Sequence, residues 1–137
     1  MSEVTTTEQA AMRGLLGPVK EELGEALSPE WERAFWGVPR HRFVPEQTWL
    51  GADLSPCDRA TDPDGWLRAV YADDPAVTQI NDGAEPDAEE VDGGRRASSS
   101  ASAPSIVFRM LDLLDVRDGH RVLEIGTGVR HEVAQCK

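Results

Sequence analysis

The sequence predicts an α/β protein in which a helical N-terminal cap leads into the first helix and first strand of a domain that is left incomplete. Three features predict it. Apolar residues recur at three- and four-residue intervals after Pro104, a short apolar run Arg121-Val122-Leu123-Glu124-Ile125 follows, and that run feeds directly into Gly126-Thr127-Gly128. Helix, strand and glycine turn in that order open an α/β nucleotide-type domain.

Taken from the N-terminus, residues 8–27 place Leu15, Leu16, Val19, Leu23 and Leu27 at helical spacing, interrupted by Gly17-Pro18. Proline has no amide hydrogen and crowds the preceding turn, so two short helices are expected there. Ser28-Pro29 is a start signal, a capping hydroxyl followed by proline at the first helical position. Trp31, Ala34, Phe35 and Val38 then form one apolar face, which Gly37 and Pro39 close. Beyond His41, Pro56, Pro63, Gly65, Pro75 and Gly83 fall too close together for long regular elements, so short strands or turns are expected. Residues 84–103 turn acidic, pass through Gly93-Gly94-Arg95-Arg96 and become serine-rich, the composition of a mobile loop. Ile106, Val107, Met110, Leu111 and Leu114 mark a helix that ends near Asp118-Gly119, and residues 121–125 read as a strand. The resulting division is 1–83 as a helical and loop region, 84–103 as the loop, 104–128 as the opening of a domain and 129–137 as a tail.

Composition narrows the partners. The 137 residues carry a formal net charge of -11, and residues 50–92 hold twelve acidic side chains against Arg59 and Arg68 alone. Such a surface repels polyanions, and no basic stripe supplies the counterion release that drives nucleic-acid binding. No run approaches the length of a membrane span, and Met1 to Gln9 lacks the basic-then-apolar order of a secretory signal, so a cytoplasmic protein without a membrane partner is expected. Cys57 and Cys136 lie far apart with no CxxC spacing and no neighbouring histidine, which reads as free thiols and no metal site. The oligomeric state is not encoded in any pattern of the sequence.

Three segments, in order, resemble the protein-L-isoaspartate O-methyltransferase family: Val38-Pro39-Arg40-His41-Arg42-Phe43-Val44-Pro45, then Tyr71-Ala72-Asp73-Asp74, then Ser100-Ala101-Ser102-Ala103-Pro104 with its helix and the VLEIGTG run. The resemblance covers about Glu30 to Gly128. It implies a Rossmann-like S-adenosylmethionine methyltransferase fold, S-adenosylmethionine as cofactor, and a protein or peptide bearing an isoaspartyl or aspartyl carboxylate as substrate. By the family's loop pattern Ser102 takes the place of the active-site serine and Ser100 that of the accompanying hydroxyl. Glu124, Gly126, Thr127 and Gly128 would then hold the cofactor, with Glu124 facing its methionine amine. Ser105 stands where the family often has histidine or tyrosine, and the acidic loop ahead of it is a second departure. Both resemble actinobacterial relatives, some of which methylate aspartyl side chains of modified peptides. Read without the family, the serine run is also the composition of a flexible linker, and a strand ending in a glycine turn also occurs in other α/β proteins.

The chemistry suits those residue types. A carboxyl group with a pKa near ~4 is already ionised at neutral pH, so methyl transfer to it needs alignment more than a base. Serine hydroxyls can orient a carboxylate without neutralising it. Two features count against turnover by these residues alone. Arg130 stands where a third small residue is expected in the glycine loop, and no acidic residue follows at the distance, about 20 residues on, where the ribose would be held. Residues 129–137 do not resemble the family's next helix, a break of the kind a frameshift produces. The expectation is an inactive fragment of a carboxyl methyltransferase, and the alternative is a non-catalytic interaction module that binds a partner protein.

Overall fold

The computed structural model describes residues 3–83, 94–126 and 128. Helix α1 spans Thr6–Leu23. It opens on a capping box: Thr5 Oγ1 accepts from the Glu8 amide at 3.2 Å while Glu8 Oε2 accepts from the Thr5 amide at 2.8 Å. Gly24 closes it in the left-handed region, φ 81°, and donates to the Lys20 carbonyl. The two short helices expected here are one, with Pro18 inside. Met12 and Leu15 before the proline and Val19 after it are all buried on one face. That shared burial outweighs the roughly 3 kcal/mol that an interior proline costs.

Helix α2 spans Pro29–Gly37 and starts where the sequence places it, with Ser28 Oγ accepting from the Trp31 amide at 3.3 Å. A single 3-10 turn, Arg40–Arg42, follows. The proline-rich tract then folds into short strands β1 (Gln47–Leu50) and β2 (Ser55–Asp58), a helix α3 (Pro63–Val70) and a strand β3 (Ala76–Ile80). Short strands are as expected; α3 is not. Its start repeats the Ser28-Pro29 signal in another residue, since Asp62 Oδ1 accepts from the Gly65 amide at 2.9 Å and Pro63 opens the helix.

Within the expected mobile loop, residues Ala97–Ala101 form strand β4. The residue types have little strand propensity; pairing with β3 decides the conformation. Ala76 lies opposite Ala101, Val77 opposite Ser100, Gln79 opposite Ser99 and Ile80 opposite Ala97, with bulge-like register shifts on either side of Gln79. Beyond the pairing, the Asn81 amide donates to the Arg96 carbonyl at 2.9 Å and the Arg96 amide donates to Asn81 Oδ1 at 2.9 Å. The acidic residues 84–93 lie outside the described residues. The antiparallel sheet runs in the order β2-β1-β3-β4.

Helix α4 starts at Pro104 as the sequence indicates, but it ends at Leu114, where Asp115 turns left-handed at φ 49°, rather than near Asp118-Gly119, and its buried face is different. Val107, Phe108 and Leu111 are buried, whereas Ile106, Met110 and Leu114 are 51%, 52% and 56% exposed. The helix is apolar on more than one side, so periodicity alone cannot choose the face that packs. The chosen face meets α1 and α2: Phe108 lies 6.3 Å from the Phe35 ring and 6.4 Å from that of Trp31, and Arg109 donates to the Glu22 carbonyl at 2.6 Å. After α4 the expected strand at 121–125 is absent. Those residues have no ladder partner, and Leu123 and Ile125 are exposed. A strand exists only by pairing, and among the described residues nothing pairs with this one.

The sheet separates two clusters. On one side Met12, Leu15, Phe35, Trp66, Val70 and Ala76 belong to the main core; on the other Leu54, Val77 and Ile80 pack with Trp49. The alternation of Ala76 and Val77 between the two follows from the two-residue period of a strand. Trp66 is the largest fully buried side chain, its indole donating to the Pro45 carbonyl at 3.1 Å and its ring lying 4.7 Å beneath the Arg59 guanidinium.

A polar chain is buried where α1 meets this core. The Tyr71 hydroxyl lies 2.7 Å from His41 Nδ1, and His41 Nε2 lies 3.4 Å from Glu8 Oε1. The Glu8 carboxylate can only accept, so it favours the hydrogen of a neutral His41 on Nε2, which leaves Nδ1 to accept from the Tyr71 hydroxyl. Burial pushes the Tyr71 pKa up to about 12. Burial also holds His41 below its ordinary value, outweighing the opposing pull of the Glu8 carboxylate, with Arg42 and Arg59 adding to the depression. Tyr71→Phe should therefore destabilise the protein by about 1–3 kcal/mol in urea unfolding, because Nδ1 is left buried without its donor. The neutral imidazole is favoured by the folded state, so the unfolded chain binds that proton more readily and stability rises with pH. Stability should fall as the pH drops through the ordinary histidine value of 6.5 toward the lowered folded value. Urea midpoints at about pH 7.5 and about pH 5.5 will measure it, and His41→Asn should shrink the difference.

Candidate functional site

Ser102 occupies the short link between β4 and α4. Pairing stops at Ala101, opposite Ala76, and Pro104 begins the helix with a fixed φ and no amide hydrogen to leave unsatisfied. Ser102 is half-buried. Its carbonyl accepts from Arg40 Nη1 at 2.7 Å, and Arg40 Nη2 donates to the carbonyls of Ala101 at 3.2 Å and Asp74 at 3.5 Å. Arg40 is only 2% exposed. On the far side of the link, Asp73 Oδ1 accepts from the Ser105 amide at 2.8 Å. Ala103 at the helix N-cap has no acceptor of its own, so Asp73 supplies the cap from 32 residues away.

The serines of β4 divide by what their hydroxyls do. Ser98 Oγ accepts from the Asp82 amide at 2.9 Å and donates to Gln79 at 3.2 Å, and Ser99 Oγ accepts from the Thr78 hydroxyl at 3.1 Å. These two belong to the sheet. Among the described residues, neither the Ser100 nor the Ser102 hydroxyl has a hydrogen-bond partner. Ser100 is exposed and faces Val77 in the ladder.

The glycine loop approaches this strand. Gly126 has φ 77° and Gly128 φ 58°, both in the left-handed region that favours glycine. A Cβ on Gly128 would stand 3.4 Å from the Ser100 carbonyl oxygen and 3.7 Å from Ser99 Oγ. Glu124 is half-buried in the irregular stretch, and its Oε2 is shielded from solvent with no hydrogen-bond partner among the described residues. Thr127 and Arg130 lie outside the described residues. Ser100 and Gly128 are thus brought together, with Ser102 two residues along the same segment. An orphaned carboxylate oxygen beside two left-handed glycines fits a ligand that carries an ammonium group.

The sequence picks out Ser100 and Ser102 as candidates but assigns no role to Arg40 or Asp73. Both sat inside the quoted segments, and the signal that could have marked them is the confinement of a permanent cation to an otherwise apolar Val-Pro…Phe-Val-Pro context. Among the described residues no group of three or more histidine, cysteine, aspartate or glutamate side chains could hold a metal ion, and no helix is long and apolar enough to cross a membrane. Burial raises the pKa of the half-buried Cys57 thiol, with Asp62 adding to the shift, which disfavours the reactive thiolate.

The family model for protein-L-isoaspartate(D-aspartate) O-methyltransferase matches residues 66–136, just over half of the chain. The matched span takes in residues 129–136, which the sequence had appeared to place outside the family. Protein-L-isoaspartate O-methyltransferase of Methanosarcina mazei is 31% identical over 102 residues, 74% of this chain and 28% of its own length. Protein-L-isoaspartate O-methyltransferase 1 of Archaeoglobus fulgidus is 30% identical over 116 residues, 85% of this chain and 37% of its own. The enzyme of Methanopyrus kandleri is 34% identical over 114 residues, 83% and 35%. The chain thus spans about a third of the length of the curated relatives it matches. No solved structure matches it significantly. With a family-model match across more than half of its residues and relatives 30% or more identical over more than two thirds of it, the chain belongs to the protein-L-isoaspartate(D-aspartate) O-methyltransferase family.

Proposed function

We propose that these residues carry the substrate loop and the opening of the cofactor site of an S-adenosylmethionine-dependent carboxyl O-methyltransferase. It would act on isoaspartyl or aspartyl residues of proteins or peptides, a protein-repair type of activity carried out in the cytoplasm. The observation that carries this reading is the partition of the serines: Ser98 and Ser99 spend their hydroxyls on the sheet, while those of Ser100 and Ser102 are free to hold a ligand.

In this reading Ser102 donates to one oxygen of the substrate carboxylate and Ser100 helps fix the other. A carboxylate is an acceptor at every lone pair, so two hydroxyl donors define its orientation without removing its charge. Because the group is already ionised, no base is needed, and the contribution of the loop is alignment and exclusion of water. Glu124 would accept from the cofactor's ammonium, and Gly126, Thr127 and Gly128 would let the backbone pass close to it. S-adenosylmethionine, when bound, supplies the sulfonium methyl group. The 137 residues by themselves are not expected to turn over, since residues 121–125 are not held in a sheet.

Two experiments test this. Calorimetry on the 137-residue chain should show no saturable S-adenosylmethionine binding at about micromolar concentration, the range in which such ligands commonly bind; clear saturation there would show that the cofactor site is complete without residues 121–125 being held in a sheet. Fusing residues 1–128 to the remaining C-terminal portion of the Archaeoglobus fulgidus relative should yield methyl transfer to an isoaspartyl peptide. In that fusion Ser102→Ala should lower turnover about tenfold or more, as expected for a lost hydrogen bond to a charged group. Ser98→Ala should cost stability while leaving turnover of the folded enzyme unchanged. A fusion that folds and binds cofactor yet methylates no carboxylate refutes the assignment.

A further inference from the structure

We propose that Arg40 and Asp73 form a two-sided clamp on residues 101–105 and act as positioning residues for Ser102. The inference rests on the substrate-loop reading above and adds to it two residues that touch neither substrate nor cofactor.

The three segments that stand out in the sequence converge on one point. Arg40 comes from the Val38–Pro45 segment, Asp73 and Asp74 from Tyr71–Asp74, and Ser102 from the serine link. Arg40 approaches from one side: Nη1 donates to the Ser102 carbonyl at 2.7 Å and Nη2 to the Ala101 carbonyl at 3.2 Å. Two successive carbonyls are held by one rigid planar fork, which sets the peptide plane between them. Asp73 holds the other end of the link, accepting from the Ser105 amide at 2.8 Å. Its negative charge sits at the N-terminus of α4, where the helix dipole favours it. The residues between these anchors, Ser102 to Pro104, include a proline of fixed φ, so little backbone freedom remains at Ser102. The Cα–Cβ direction of Ser102, and so the small set of positions its hydroxyl can reach, is therefore set by Arg40 and Asp73.

The guanidinium geometry is what the site requires. Lysine could reach one carbonyl as a point charge but could not span two in a plane. On the Asp73 side the requirement is an acceptor, with charge a secondary aid, so asparagine should keep the cap and alanine should lose it.

The test uses the full 137-residue chain, with residue-resolved amide exchange and titration with an isoaspartyl peptide followed at the Ser102 amide. Asp73→Ala should speed exchange at Ser102 and Ser105 about five- to tenfold. Exchange in β2, at the opposite edge of the sheet from β4, should stay unchanged. Asp73→Asn should restore the wild-type pattern. Arg40→Lys should loosen Ser102 in the same way, and the Asp73 pair decides the matter if that variant fails to fold. Peptide affinity should weaken in step with local exchange and recover in Asp73→Asn. The clamp is overturned if Asp73→Ala leaves exchange at 102–105 unchanged, or if Asp73→Asn loosens the link as much as alanine does. A wild-type chain that ignores the peptide while the exchange pattern holds supports the clamp and refutes the substrate reading of the loop instead.

Discussion

A guanidinium stays protonated throughout the accessible pH range, so burying one obliges the surrounding fold to present oxygens to it. Arg40, at 2% exposure, meets that demand with backbone carbonyls drawn from two separate stretches of chain. Carbonyls can be aimed at a cation only if the peptide planes that carry them are fixed. The end of β4, the link to α4 and the turn before β3 are therefore tied to the 3-10 turn that holds Arg40. Desolvating the charge is costly, and truncating it would leave buried carbonyls without donors. The arrangement holds only as a whole.

The Tyr71–His41–Glu8 chain extends the same logic toward α1. His41 is the next residue after Arg40, and Tyr71 lies just ahead of Asp73, so the two polar clusters share both of their supporting segments. One anchors the first helix and the other the serine link. Phe35, Trp66, Tyr71 and Phe108 belong to one buried apolar cluster, and a hydrogen bond in a medium of low dielectric is stronger than in water.

What the sequence made legible was mostly local. Ser28-Pro29 and Pro104 announce their helices because capping chemistry and the missing proline amide act within a few residues. The Asp62-Pro63 start carried the same signal and was hidden among neighbouring prolines and glycines. Pro18 was a misleading local signal, overridden by burial of Met12, Leu15 and Val19. Strand β4 was illegible for a deeper reason: Ala-Ser-Ser-Ser-Ala has no strand preference of its own, and only β3, which lies far ahead of it in sequence, makes it one. Ser100 and Ser102 are picked out as candidates by pattern, whereas Arg40 and Asp73 act across 62 and 32 residues and become visible only once the chain has closed. The strand expected at 121–125 fails on the same ground, since propensity without a neighbour does not make a ladder.

The closure of β3 on β4 separates two properties that surface loops usually confound. The reciprocal hydrogen bonds between Asn81 and Arg96 seal the base of the connection, and the offset pairing around Gln79 fixes how far β4 is advanced along β3. Because that alignment is set below the seal, the number and kind of residues inserted above it can change without sliding Ser102 relative to Arg40. Loop closure becomes dearer only with the logarithm of length, about 0.6 kcal/mol for each doubling. Residues between the two strands can thus vary in number and charge while the link that follows β4 stays registered against β3.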